Sequence, residues 1–517
     1  MASRREQLEA YTFARRRLVA GFLQPEPAGG NEEKAPRAFR AILPGIVVGA
    51  LILTGFGVYG LIKPGVPPGW KNKGSLIVGR DSASRYVYID NQLHPVLNIA
   101  SGRLLLEPTK FKVNLVPEKV LNSVRHGAPL GIPNAPDRLP GPKEVTRPKS
   151  WTVCERPVVK GNAVDLAAPP ERSVFIGSDD RAGGLMPADA LFVQLHAPST
   201  QDGSKSVQPL YLVEGGRKYR VGVSPPAEPN KPVAKSPNEE LVRAALGLAA
   251  LKPQPVSQKW LDTLEPGADL TFPELPGYGT KVAYDIPEEL RNVGMVLRTE
   301  GTNQYYVVGK ERVLPVTRLV AELLVAHPDV AKAYPKGRTP GILPVAVSRL
   351  GANIQMGGLY AAEKGWPETL PQVVNRVDAE AGAGRTTLCN TYTSGPDGGA
   401  GLPVQTARND LPEELVTGMG GVWVKPGTGA LIREFIGTSD DKSGTLFLVT
   451  DAGLRYQIPN EPEKEGGPLP QGSEDSIAKI KLGYKGIAPS PVPRAWAELM
   501  PLGVPLSHLS AAKPQTS

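Results

Sequence analysis

The chain has 517 residues, 21% of them charged and 40% hydrophobic. It is too long for one hydrophobic core and too polar for a polytopic membrane protein, and about 150 residues per domain gives three or four units. The net charge of +8 is spread along the chain, with Arg15-Arg16-Arg17 the longest basic run, so nucleic-acid binding is not expected. The 57 glycines and 54 prolines favour short strands joined by turns over long helices.

Residues 1–40 read as a short tail carrying a helix. Ser3 can cap it, and Glu6 completes a capping box. Leu8, Tyr11, Leu18 and Phe22 fall roughly on one face, interrupted by Arg15. Two readings stay open. The helix lies on anionic lipid through Arg15, Arg16 and Arg17, or those arginines dock a cytosolic partner.

From Ala41 to Ile62 no residue is charged. A helix over these residues is about 33 Å long, enough to cross a hydrocarbon layer of about 30 Å. Pro44 is expected in its first turn, where a missing N–H costs little. Gly45 and Gly49 form a small-xxx-small pair that can seat another helix, and Tyr59 and Trp70 fall where an outer interfacial belt lies. A cleaved signal peptide is the competing reading, but the apolar run is long and follows a 40-residue leader, which favours an uncleaved anchor. The short basic leader places the N-terminus in the cytoplasm and everything after residue 62 outside.

Beyond a linker at 63–74 a hairpin signal recurs four times. The runs 85–89, 210–213, 305–308 and 446–449 are apolar, β-branched or aromatic. Each leads through a Gly, Asp or Asn turn into a second run. A second element follows at a distance: KVLNSVRHGAPL at 119–130 aligns without gaps on KWLDTLEPGADL at 259–270. Trp496, Met500, Gly503 and Leu506 repeat its spacing. It reads as one helical turn closed by a glycine C-cap. The third hairpin is followed by a helical run, 318–327, and its copy of the turn-and-glycine element is not apparent. The result is an α+β array.

Cys154 and Cys389 lie outside these units, each in a strand-like context. On an exported domain two cysteines are expected to pair, and a loop of that size would add about 4–5 kcal/mol. Two unrelated buried thiols are the alternative.

A phosphate loop needs G-x-x-x-x-G-K-[ST], which does not occur. The nearest stretch, 437–443, lacks the second glycine and sets Asp440 and Asp441 where phosphate would sit. The five histidines show no zinc-ligand spacing, and there is no G-x-S-x-G elbow. Pairs such as Glu239-Glu240 and Glu288-Glu289 are expected to be solvated. No cofactor, metal or catalytic residue is expected.

The stretch SRREQLEAYTFARRRLVAGFLQ, the single anchor, LHPVLNIASGRLLL at 93–106 and the two cysteines resemble the EccB family, a membrane-anchored component of the actinobacterial type VII (ESX) secretion apparatus. The resemblance implies a cytosolic tail, one transmembrane helix, and a periplasmic region of four β-rich repeats around a central β domain crossed by a Cys154–Cys389 disulfide. In boundaries, these are a tail 1–40, helix 41–62, linker 63–74, repeats 75–131, 173–272, 273–352 and 421–510, a central domain from 132–172 and 353–420, and a terminal tail 511–517. It also implies an inner-membrane assembly role beside an FtsK/SpoIIIE-like ATPase (EccC), polytopic EccD, EccE and a mycosin protease, with further copies of itself, in export of WXG100-type proteins. A peptidoglycan-binding module is the alternative, because the repeats are similar to wall-binding modules of phage lysins. Family members are sometimes labelled ATPases, which the absent phosphate loop does not favour.

Overall fold

A computed structural model describes residues 3–23, 37–62, 66–161, 163–165, 167–179, 184–186, 188–196, 208–222, 237–375, 387–393, 402–414, 421–436, 444–468 and 475–515. Helix α1 is Arg4–Leu23 and helix α2 is Arg37–Ile62. Ser3 and Glu6 form the reciprocal capping box: the Ser3 amide donates to Glu6 Oε2 at 2.7 Å, and the Glu6 amide donates to Ser3 Oγ at 3.4 Å. Leu8, Tyr11, Leu18 and Phe22 are all exposed.

Helix α2 starts four residues before the uncharged run, so Pro44 lies inside the helix and not in its first turn. It removes one interior hydrogen bond. Side chains of α2 are described over 42–58, where those from Ile42 to Val58 are almost all exposed and apolar. Among the described residues no helix is long and apolar enough to cross a membrane. The spanning helix expected over 41–62 is therefore not shown by them, although a helix runs through it. A Cβ on Gly45 or Gly49 would meet nothing of this chain within 4 Å. Trp70, expected at a lipid interface, instead packs on a small core around Ile77, Leu93, Val116 and Leu121.

Four sheets share one strand order, third–second–first–fourth. In the first unit, Ser75–Gly79, Arg85–Ile89 and Gln92–Pro95 form an antiparallel meander, and Lys112–Val116 returns parallel to Ser75–Gly79. The second unit uses Asp189–Leu195, Leu210–Glu214, Arg217–Arg220 and Gln254–Val256. The third uses Val296–Thr299, Tyr305–Val308, Val313–Val316 and Leu343–Val345. The fourth uses Ala430–Phe435, Leu446–Val449, Arg455–Gln457 and Ser490–Pro493. A parallel return needs a crossover, and each unit supplies a helix for it: Ile99–Leu105, Pro237–Ala245, Arg318–Val325 and Ile477–Leu482. Asn98, Thr317 and Ser476 start three of these by accepting a backbone N–H three residues on.

The turn-and-glycine element follows the fourth strand. Its glycines are not the expected C-caps: the short helices Glu118–Leu121, Gln258–Leu261 and Arg494–Ala497 end in right-handed residues. Gly127, Gly267 and Gly503 serve another need. A Cβ on them would lie 2.3 Å from the His94 ring, 2.4 Å from the Tyr219 ring and 2.5 Å from the Tyr456 ring. Each ring stands on its unit's third strand and requires a bare Cα beneath it. The third unit has Leu314 at that strand position, with no ring, and Gln355 makes the bond to its third strand that the glycines make elsewhere. The element is present there as a 3-10 turn, Val347–Arg349, but without the glycine that would have marked it.

The fifth large sheet runs Val404–Arg408, Thr387–Thr393, Ser150–Arg156, Glu171–Ile176, Val422–Val424. Strand Glu171–Ile176 crosses the expected boundary at 172, and Val422–Val424 lies beyond the one expected at 420. Residues 353–373 contribute instead to the third and second units, through the Val313–Ile354 bridge and the Gln372–Val373 strand.

Candidate assembly site at the central sheet

Strand alternation gives the central sheet two distinct faces. On one, Cys154 and Cys389 are direct register partners joined by a disulfide, sealed among Phe175, Leu411 and Trp423. Beside it Thr152 and Thr391 share a hydroxyl hydrogen bond of 2.9 Å, and a cavity of about 420 Å³ opens over Thr391, Thr406 and Arg408.

The other face carries Trp151, Val153, Glu155, Leu388, Asn390 and Tyr392, and it is a joint. Trp260 and Leu261 of the second unit and Val492, Trp496 and Met500 of the fourth bury against it in one core. A separate core joins the second unit to the third, and another joins the first to the fourth. The packing therefore runs first–fourth–centre–second–third, which differs from the order along the chain.

The joint is polar as well as apolar. Trp260 Nε1 donates to the Leu388 carbonyl at 3.2 Å, and Asn390 Nδ2 donates to Thr263 Oγ1 at 2.8 Å. Tyr392 Oη donates to the Pro491 carbonyl at 3.4 Å. Glu155 is fully buried beside Cys154. It accepts from the Ser257 amide at 2.7 Å and the Ser257 hydroxyl at 2.5 Å, with Arg172 at 3.9 Å. Ser257 also caps the helix that carries Trp260, so one serine ties the helix start to the sheet.

Burial pushes the Glu155 carboxyl up to about 7, against the pull of Ser257 and Arg172. The folded chain then holds a proton that an unfolded glutamate, at its usual 4.5, releases. The stability this confers is complete below pH 4.5 and is lost as pH rises through 7, on the order of 3 kcal/mol. Thermal melts of the full chain between pH 4.5 and 8 are expected to show that decline. Glu155→Gln keeps a carbonyl acceptor for Ser257 and is expected to flatten it; an unchanged slope would remove Glu155 as its source.

Of the residues singled out in the sequence, Cys154 and Cys389 come together here. Arg15, Arg16 and Arg17 are exposed on α1, far from this sheet in sequence. The stretch 437–443 lies outside the described residues. Among the described residues no group of His, Cys, Asp or Glu is arranged to hold a metal ion. Glu155, Ser257 and Asn390 were not visible as a site, because only the packing brings them to one place.

A family model described as type VII secretion system ESX-1, transport TM domain B, matches residues 1–515. The chain belongs to the EccB family. Its EccB relatives include the protein named ESX-3 secretion system ATPase EccB3 of Mycolicibacterium smegmatis, 26% identical over 96% of this chain and 87% of the relative. The protein of the same name from Mycobacterium tuberculosis is 26% identical over 98% of this chain and 88% of that one. The fold is that of the periplasmic assembly from the ESX-5 inner membrane complex, with a TM-score of 0.60 at 23% identity over 87% of this chain and 98% of the solved chain. It is also that of the EccB3 dimer from the ESX-3 core complex, with a TM-score of 0.59 at 21% identity over 85% and 99%.

Proposed function

We propose that this EccB-family chain is an assembly subunit of a type VII secretion membrane complex, and that its four like-ordered sheets are copies of one repeat braced by the central sheet. The observation that carries this is the joint itself. A disulfide spanning 235 residues of sequence fixes a sheet onto which the second and fourth units pack, and through them the third and first. Such a link belongs to an oxidising space, which supports a periplasmic location for residues beyond the anchor. Helix α2, apolar and exposed over 42–58, is the anchor in this reading, with α1 in the cytoplasm. The partners are those the family resemblance implies: an FtsK/SpoIIIE-like ATPase (EccC), polytopic EccD, EccE, a mycosin protease and further copies of this chain. The cargo is WXG100-type protein.

Gentle detergent extraction of native membranes and capture on this chain test the reading. A large complex containing the motor ATPase and a polytopic subunit is expected. A chain that emerges alone would overturn it. The ATPase in the names of relatives belongs to those proteins, and this sequence offers it no phosphate loop.

A wall-binding role has one observation in its favour. A cavity of about 550 Å³ on the third unit is lined by Tyr305, Tyr306, Arg298, Arg318, Thr317 and Glu368, rings and charged groups of both signs suited to a glycan. Retention of the full chain on isolated peptidoglycan, lost on Tyr305→Ala, is its requirement.

A further inference from the structure

We propose that the outer edge of strand Lys112–Val116 pairs with the same strand of a second copy of this chain, antiparallel and centred on Asn114.

The fourth strand is an outer strand of each unit's sheet; that of the second unit is buried and that of the fourth meets the central sheet through the Tyr392–Pro491 bond, whereas the other edge is covered by the unit's own chain. His126, Ile354 and Leu502 bridge the third strands of the first, third and fourth units, and Glu265–Pro266 lies beside that of the second. Strand register sets one residue of each fourth strand at the same place: Leu115 opposite Val78, Pro255 opposite Gln194, Pro344 opposite Arg298 and Pro491 opposite Arg433. In the first unit the Lys112 amide donates to the Gly74 carbonyl, and the Arg80 amide donates to the Val116 carbonyl. Alternation then turns 112, 114 and 116 inward and 113 and 115 outward. Proline has no N–H, so three of the four edges are blunted at their outward position. The first unit is not: Leu115 and Val113 are 54% and 53% exposed, while Asn114 and Val116 are buried.

The strand suits itself as a partner. Centred on Asn114, an antiparallel pairing sets Val113 opposite Leu115 of the second copy and the reverse. Both become hydrogen-bonded pairs that exchange N–H and C=O, and the four exposed apolar side chains gather on one face. Lys112 then falls opposite Val116 of the second copy, so the two lysines are offset by roughly 13 Å along the strands, beyond a physiological Debye length of about 8 Å.

This rests on the self-assembling subunit proposed above. Two differently tagged full-length copies, coexpressed and extracted in mild detergent, test it by capture of one through the other. Wild type and Leu115→Val are expected to capture the second copy. Leu115→Pro, which places in the first unit the residue its three counterparts carry, is expected to reduce capture at least tenfold with an unchanged melting midpoint. Val113→Lys, a charge on the same edge, is expected to do the same without touching the backbone donor. Undiminished capture by both Leu115→Pro and Val113→Lys would overturn the proposal. So would a wild type that captures no second copy, or variants that lose a different protein while self-capture persists. The motor ATPase in the same eluates reports separately. Its absence from wild type sinks the secretion reading, whereas self-capture that survives both variants sinks only this one.

Discussion

Replacing Cys154 and Cys389 together with alanine is expected to destabilise the central sheet by about 5 kcal/mol. The bond spans 235 residues of sequence, and in the chain-entropy account the cost of closing so long a loop is borne by the unfolded chain. Alanine is the right replacement, because the sulfurs sit among Phe175, Leu411 and Trp423 and a serine hydroxyl would be buried there without an assured partner. The strands still share six register pairs, from Leu388–Glu155 to Thr393–Ser150, so the sheet is expected to form in the variant but to melt earlier. Denaturant titration of the full chain, followed by tryptophan fluorescence, reads this directly, since Trp151 and Trp423 both stand on the sheet. Coincident midpoints for wild type and variant would show that the link does not hold the centre together.

Trp260→Ala is the second. Trp260 is fully buried and is the largest such side chain in the molecule's described part. Its removal empties the joint between the second unit and the central sheet, at about 3–5 kcal/mol, and the lost indole bond to the Leu388 carbonyl adds about 1 kcal/mol. Trp260→Phe keeps much of the volume and loses the bond, so it is expected to cost well under half as much. The same titration separates the two. Because the third unit shares its core with the second rather than with the centre, both units are expected to loosen together in Trp260→Ala while the first and fourth keep their common core. Hydrogen exchange resolved by segment checks that: uniform loss of protection across all four units would contradict a relay of cores.

How far the sequence reached depends on the distance over which each signal acts. The hairpins were legible because their information is local. Arg85–Ile89 and Gln92–Pro95 are β-formers, and Asp90 and Asn91 take the positive φ of 46° and 60° that a tight hairpin turn needs. The uncharged run at 41–62 and the reciprocal Ser3–Glu6 cap are local in the same way. The strands that complete each sheet were not legible. Gln254–Val256 and Leu343–Val345 are three residues long and carry a proline, and each becomes a strand only because the first strand of its unit lies alongside.

The glycines show the boundary within one motif. Their spacing is plain in the chain and by itself reads as a helix cap. The reason for them is a ring from the third strand, and the third unit lacks both ring and glycine. Glu155 is the extreme case. In sequence it is one charged residue among 51 acidic ones, and nothing nearby marks it. Its partner Ser257 lies 102 residues away, and its burial exists only once the second unit has docked.

By itself, then, the sequence determined the four hairpins and their turns, the apolar N-terminal helix, the two cysteines in strand contexts and the family. Each is fixed by residues within a turn or a strand of one another, or by a pattern carried whole along the chain. Tertiary structure decided the parallel fourth strands, the order in which the units pack, the titration of Glu155 and the exposure of the one fourth strand that carries no proline. These depend on which surfaces meet, and the free energy of a buried carboxylate or an open strand edge is set by neighbours that the chain brings together only on folding.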